Sequence, residues 1–272
     1  MEHLIFHSDL GDIHYWLSKI DANRPTLVFT HGVLINHETF DPQIKYFAKD
    51  YNIITWDLPL HGLSKECTGF TLRASAEIMQ GILDKEGIDQ VILVGQSLGG
   101  FFSQEFADRY PDRVKAFIGI DTAPYGRRYY PDKRLMQFFE PSMSSLTSLT
   151  NPWQIPETWY TAFTGLFAAF TPMTYQRMMK WLQPYSAADL RRICLAAYQA
   201  IINENRDIKR QHPTLLLLGQ FDCFGIMMYY SLIWNVLEHI PLRIIPFAGH
   251  IANNDNPWAV NHEIQSFIEK VA

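Results

Sequence analysis

A serine in a Gly-x-Ser-x-Gly turn is the first feature of this 272-residue chain that could do chemistry. The segment reads Val91-Ile92-Leu93-Val94-Gly95-Gln96-Ser97-Leu98-Gly99-Gly100, an apolar run that passes through the turn directly into a helical pattern. A strand-to-helix bend of this kind leaves no room for a Cβ at either glycine. It forces the serine into a strained conformation that lifts its hydroxyl above the sheet. A serine hydroxyl is a poor nucleophile at neutral pH, so Ser97 needs a base and a group that holds the base. Two later positions supply them. Asp222 follows the run Leu215–Leu218 in Gly219-Gln220-Phe221-Asp222, and His250 follows Leu242–Phe247 in Ala248-Gly249-His250. Each stands just after an expected strand, on the carboxyl edge of a parallel sheet where sites form. Asp121, directly after the run ending at Ile120, competes for the acid role.

Attack on a carbonyl also creates an oxyanion that must be stabilised. The turn Thr30-His31-Gly32-Val33 follows the first parallel strand and places a backbone donor near the serine. The expected donors are the N–H groups of Val33 and of Leu98, the residue after the nucleophile. His31 is expected to brace this loop rather than take part in the chemistry.

The elements that must position these residues are legible as an alternation of short apolar runs with helical faces, the pattern of a parallel sheet covered by helices. The runs His3–His7 and Ile13–Leu17 flank a turn and predict a hairpin. Six further strands are expected at Thr26–Thr30, Asn52–Trp56, Gln90–Val94, Lys115–Ile120, Thr214–Leu218 and Leu242–Phe247. Helical faces lie between and after them: Phe40, Ile44 and Phe47, then Leu72, Ile78, Met79 and Ile82, and last Val260, Ile264, Phe267 and Val271. Pro257 suits the first turn of the last helix. From Tyr125 to Pro184 no strand is predicted, and Trp153, Trp159, Phe163, Phe167, Phe170, Met173, Met178, Met179 and Trp181 crowd a helical insertion, with a Ser/Thr-rich loop at Ser142–Thr150. Arg127 and Arg128 at its start read as a solvated face or, less simply, as an anchor for a carboxylate.

Composition narrows the function classes. A formal net charge of -5 argues against nucleic-acid binding, which needs a basic face. Three cysteines, Cys67, Cys194 and Cys223, make no disulfide framework and contain no C-x-x-C pair. The N-terminus, broken by Glu2, His3, His7, Asp9 and Asp12, does not read as a signal peptide, and no apolar run reaches the roughly 20 residues needed to span a bilayer. The expectation is a cytoplasmic protein acting on a small molecule with an apolar part. No cofactor and no metal is implied, and oligomeric state is not legible.

Taken together, these motifs resemble the α/β-hydrolase superfamily over nearly the whole chain. The elbow around Ser97, the chain order Ser, Asp, His, and the segment Trp56-Asp57-Leu58-Pro59-Leu60-His61-Gly62-Leu63-Ser64 carry the likeness. Leu60 stands where relatives usually have glycine, so an altered turn is expected there. The single His31-Gly32 differs from the His-Gly-Gly-Gly form of one lipase and esterase branch. The resemblance implies a mostly parallel eight-stranded sheet with helices on both faces, formed by residues 1–124 and 185–272, with 125–184 as an inserted helical cap. It implies a serine hydrolase cleaving an ester-like bond through an acyl-enzyme. The alternatives are hydrolysis of a carbon–carbon bond in β-diketone-like substrates, or a small-molecule binding protein of the same fold.

Overall fold

The computed structural model describes residues 1–130, 165–166, 168–222 and 227–271. Among them, the apolar runs become eight strands: β1 (Glu2–Ser8), β2 (Gly11–Ser18), β3 (Thr26–Thr30), β4 (Asn52–Trp56), β5 (Val91–Gln96), β6 (Val114–Ile120), β7 (Thr214–Gly219) and β8 (Leu242–Ile245). They form one sheet in the order β1-β2-β4-β3-β5-β6-β7-β8. β1 and β2 make the predicted hairpin, β2 meets β4 antiparallel, and every later pair is parallel.

The central strands do not alternate polar and apolar residues because helices cover both faces, and every residue of β3, β4 and β5 is buried. On one face Ile92, Val94, Leu215 and Leu217 pack with Phe47 of α1 (Asp41–Phe47) and with Val260, Ile264 and Ile268 of the final helix, Pro257–Val271. On the other, Val91, Leu93 and Leu216 pack with α2 (Leu72–Glu86) and α3 (Leu98–Arg109). Leu93 is wholly buried, so truncation to alanine there costs about 2–5 kcal/mol. Local signals set the helix ends: the Thr71 hydroxyl accepts the N–H of Ala74 to start α2, and Gly87 at φ 63 closes it.

Between β6 and β7 lie the helices α4 (Pro172–Leu182), within the expected insertion, and α5 (Ala187–Glu204), beyond its expected end. A capping box between Ser186 and Asp189 starts α5. Among the described residues three helices follow β7: α6 (Met227–Glu238), a short α7 (Ala252–Asp255), and α8, the final helix, which begins at Pro257 as expected. None of the described helices is long and apolar enough to cross a membrane. Trp153, Trp159, Phe163, Phe167, Cys223 and the expected loop Ser142–Thr150 lie outside the described residues.

Most strand bounds move by one or two residues, and two of these changes lie next to the site. β5 runs on to Gln96, directly into the elbow. β8 stops at Ile245 because Phe247, the next residue in line to bond β7, turns out with φ 53 and gives its N–H to the Gln220 side chain at 3.2 Å.

Candidate active site

The end of β5 and the start of α3 hold Ser97 in a conformation that its neighbours impose. Its backbone has φ 50 and ψ -114, a region costing about 1–3 kcal/mol for a residue with a side chain. The surroundings fix it. Its N–H donates to Ile120 O at 2.9 Å, and its carbonyl accepts the Thr122 hydroxyl at 2.8 Å and the Gly100 N–H at 2.9 Å. The glycines are needed for space: a Cβ on Gly95 would lie 2.3 Å from Gly99 O, and one on Gly99 would lie 2.0 Å from Thr30 O.

The structure brings Ser97, Asp222 and His250 together from beyond the ends of three strands, β5, β7 and β8. His250 Nε2 lies 3.0 Å from Ser97 Oγ, and His250 Nδ1 lies 3.0 Å from both carboxylate oxygens of Asp222. All three residues are buried. With Asp222 accepting at Nδ1, that nitrogen carries the proton and Nε2 presents its lone pair to the serine hydroxyl. Burial alone would push the imidazole pKa down. The charge and hydrogen bond of Asp222, assisted by the charge of Asp121, outweigh it and raise the pKa above the ordinary 6.5.

Asp121, the competing acid, faces elsewhere. Its oxygens accept the N–H of Gly219 at 2.7 Å and of Ala252 at 2.9 Å, so the carboxylate ties the ends of β6 and β7 to the segment after His250. Burial and the neighbouring charge of Asp222 push its pKa up.

The loop after β3 lies against the serine: a Cβ on Gly32 would be 3.1 Å from Ser97 Cβ and 2.2 Å from Gln96 Oε1. Val33 is therefore the next residue along from this contact. Leu98, as first residue of α3, has an N–H without an intrahelical partner. The two residues expected to donate thus adjoin the serine, Val33 through Gly32 and Leu98 as its neighbour in the chain. His31 braces the loop as anticipated, its Nδ1 2.7 Å from Gly32 O and its Nε2 accepting the Leu58 N–H at 3.0 Å. Burial drives its pKa down to about 4, so it is neutral at ordinary pH.

Sequence reasoning missed several supports. Gln96, the variable residue of the elbow, donates from Nε2 to His250 O at 2.7 Å and so links nucleophile and histidine loops. Asp57 is a buried carboxylate that accepts the N–H groups of His37 at 2.8 Å and Leu63 at 2.7 Å and contacts the His37 ring at 2.8 Å. Burial opposes its charge, but His37 holds its pKa below the usual carboxylate range. Leu60 keeps the left-handed backbone that favours glycine, with φ 71, and buries its side chain, so the turn survives the substitution with strain.

The described insertion residues divide as a small cap requires. Met178 and Trp181 are buried in the core, whereas Phe170 and Met173 are exposed. Phe170 stacks on Phe221, the neighbour of Asp222, with ring centroids 4.7 Å apart. Arg127 donates to Asn205 O, and Arg128 pairs with Glu238 and Tyr129, so both arginines have structural partners.

Sheet order, elbow and site together define a hydrolase of the α/β fold. A family model described as alpha/beta hydrolase fold matches residues 25–210, and the chain belongs to that family. It is 24% identical to 3-oxoadipate enol-lactonase 2 of Acinetobacter baylyi, over 92% of this chain and 90% of that one. It is 22% identical to 2-(acetamidomethylene)succinate hydrolase of Mesorhizobium japonicum, over 96% and 98%. Among solved structures, a thermophilic esterase from Thermogutta terrifontis superposes with a TM-score of 0.76 at 19% identity, covering 100% of this chain and 99% of that one.

Proposed function

We propose that this protein is a serine hydrolase that cleaves an ester-like bond of a small organic substrate, with Ser97 as nucleophile, His250 as general base and Asp222 as the acid that orients the base. The observation that carries the reading is the unbroken line Asp222–His250–Ser97, with 3.0 Å at each step. In the first half-reaction His250 Nε2 takes the proton of Ser97 Oγ as the oxygen attacks the substrate carbonyl. The N–H groups of Val33 and Leu98 receive the oxyanion. Collapse of the tetrahedral intermediate breaks the bond to the leaving alcohol, which takes the proton from His250 and leaves an acyl-Ser97. A water that gives its proton to His250 then attacks the acyl carbonyl; collapse of this second intermediate breaks the bond to Ser97 Oγ, which takes the proton back from His250 as the acid leaves.

Residues 125–184 act as the cap over a core of 1–124 and 185–272. The aromatic and methionine content of that insertion supports a substrate with an apolar acyl or alcohol part, because burying apolar surface contributes roughly 25 cal/mol per Å². The relative that is an enol-lactonase supports the ester reading, a lactone being an internal ester. The test compares kcat/KM for p-nitrophenyl acetate, hexanoate and phenylacetate with that for vinylogous diketones. The expected result is turnover of the esters that rises with apolar size. Turnover of the diketones alone would replace the ester reading with carbon–carbon bond hydrolysis.

A further inference from the structure

Asp255, at the end of α7, accepts four hydrogen bonds from two separate segments. Its Oδ2 takes the N–H of Gly249 and the N–H of Phe170, each at 2.9 Å. Its Oδ1 takes the N–H of Thr171 at 2.8 Å and the Thr171 hydroxyl at 2.9 Å. Four donors saturate an ionised carboxylate. One segment is the entry to α4 in the inserted region, and the other is the residue directly before His250. The two backbones also touch: a Cβ on Gly249 would lie 2.9 Å from Ala168 O and 3.2 Å from Phe170 N.

The loop that carries His250 has anchors on both sides. On the sheet side Gln96 holds the His250 carbonyl, Asp121 holds the Ala252 N–H, and the Phe221 N–H donates to Ala248 O at 2.8 Å. On the side of the insertion Arg177 of α4 donates to Asn254 Oδ1 at 2.8 Å, four residues past the histidine, and Asp255 holds the Gly249 N–H directly before it. Gly249 is the residue whose dihedrals set the direction of the histidine, and glycine restricts those dihedrals least, so an external anchor on its N–H decides where the imidazole points.

From this juxtaposition we infer that Asp255 is a positioning residue that couples the seating of the inserted region to the aim of His250 at Ser97. When the entry to α4 sits on the core, the shared carboxylate fixes Gly249 and the base is aligned; when that entry lifts, Gly249 loses its anchor. The inference rests on His250 being the base.

The contrasting tether is at the other end of α4, where Lys180 Nζ and Trp181 Nε1 bond Glu38 at 2.9 and 3.1 Å, far in sequence from the histidine loop. The experiment measures kcat and KM for p-nitrophenyl acetate, a substrate small enough to need little of the insertion, in Asp255→Asn, Lys180→Ala and His250→Ala. Asparagine keeps one acceptor and turns an amide N–H toward donors. The expected result for Asp255→Asn is a fall in kcat of about tenfold or more, with KM within about threefold of wild type, as misplacement of a catalytic group produces. Lys180→Ala keeps the wild-type kcat. If Asp255→Asn does not fold, Asp255→Glu carries the test, since it retains charge and acceptors but displaces them by one methylene. Its expected kcat loss is about threefold or more at unchanged KM. A wild-type kcat in the folded Asp255 variant, or an equal kcat loss in Lys180→Ala, overturns the coupling. Wild-type activity in His250→Ala instead rejects the base assignment, whatever Asp255 does.

Discussion

Replacing Asp222 with asparagine changes one atom beside His250 and is expected to remove most of the activity. In the native site both carboxylate oxygens lie 3.0 Å from Nδ1, and the pair is buried. An asparagine can present its amide N–H to Nδ1, which moves the ring proton to Nε2, where it blocks transfer from Ser97. It also removes the charge that raises the His250 pKa. In triads of this kind the exchange costs about 10⁴ in kcat, equivalent to about 5.5 kcal/mol of transition-state stabilisation. The same exchange at Asp121 acts on stability instead. One oxygen bonds Gly219 N and the other Ala252 N, so an amide turns a buried N–H toward a buried N–H. That leaves an unsatisfied donor worth about 1–3 kcal/mol. Asp121→Asn should therefore melt lower and keep kcat within about tenfold of wild type, well above Asp222→Asn. Ester kinetics on the neutral-pH plateau, with thermal melts of the same samples, decide between them. The reverse ranking of kcat would show that the orienting acid stands at the end of β6.

Because the His250 pKa is raised above 6.5, activity should fall as pH drops through a limb lying above that value, and the limb should move down in Asp222→Asn; a flat kcat/KM profile from about pH 5 to 8 contradicts a histidine base. Burial drives His31 and His61 down to about 4 and about 3, so below pH 6.5 the unfolded state binds more protons and stability declines with acid. At pH 5 each histidine accounts for about 2 kcal/mol of that loss. In urea unfolding His61→Asn should lose about 2 kcal/mol less than wild type between pH 7 and 5, and an equal loss refutes the assignment. Gly99→Ala should destabilise by about 3 kcal/mol or more, since its Cβ meets Thr30 O at 2.0 Å and that contact is backbone; an unchanged melting temperature would show that the elbow relaxes.

Most of the parallel sheet was legible because strands buried on both faces are unbroken apolar runs, and each was followed by a Gly, Asp or His turn. Ser97, Asp222 and His250 were legible for the same reason: each stands one or a few residues past such a run. The end of β8 was not, because Ile244–Phe247 is apolar to its last residue and the ladder stops only where Phe247 turns into the left-handed region and gives its N–H to the Gln220 side chain. Asp57, Asp121 and Asp255 were harder still. Each carboxylate serves backbone N–H groups distant in sequence, and no local pattern records which N–H a carboxylate will meet. The polar run Asn253-Asn254-Asp255-Asn256 after His250 was the available sign that this loop is built from hydrogen bonds: Asn253 and Asn254 both donate to Thr39 O, at 2.8 and 2.6 Å.

The proposed nucleophile is tested most directly by labelling with a fluorophosphonate, which forms a covalent phosphonyl bond with an activated serine hydroxyl. Mass spectrometry of the digested protein should find one adduct, on the peptide containing Ser97. Ser97→Ala should take up no label and turn over no ester while melting as wild type does, since the change removes one hydroxyl and no core packing. An adduct elsewhere with Ser97 unmodified, or near wild-type turnover in Ser97→Ala, would contradict the assignment.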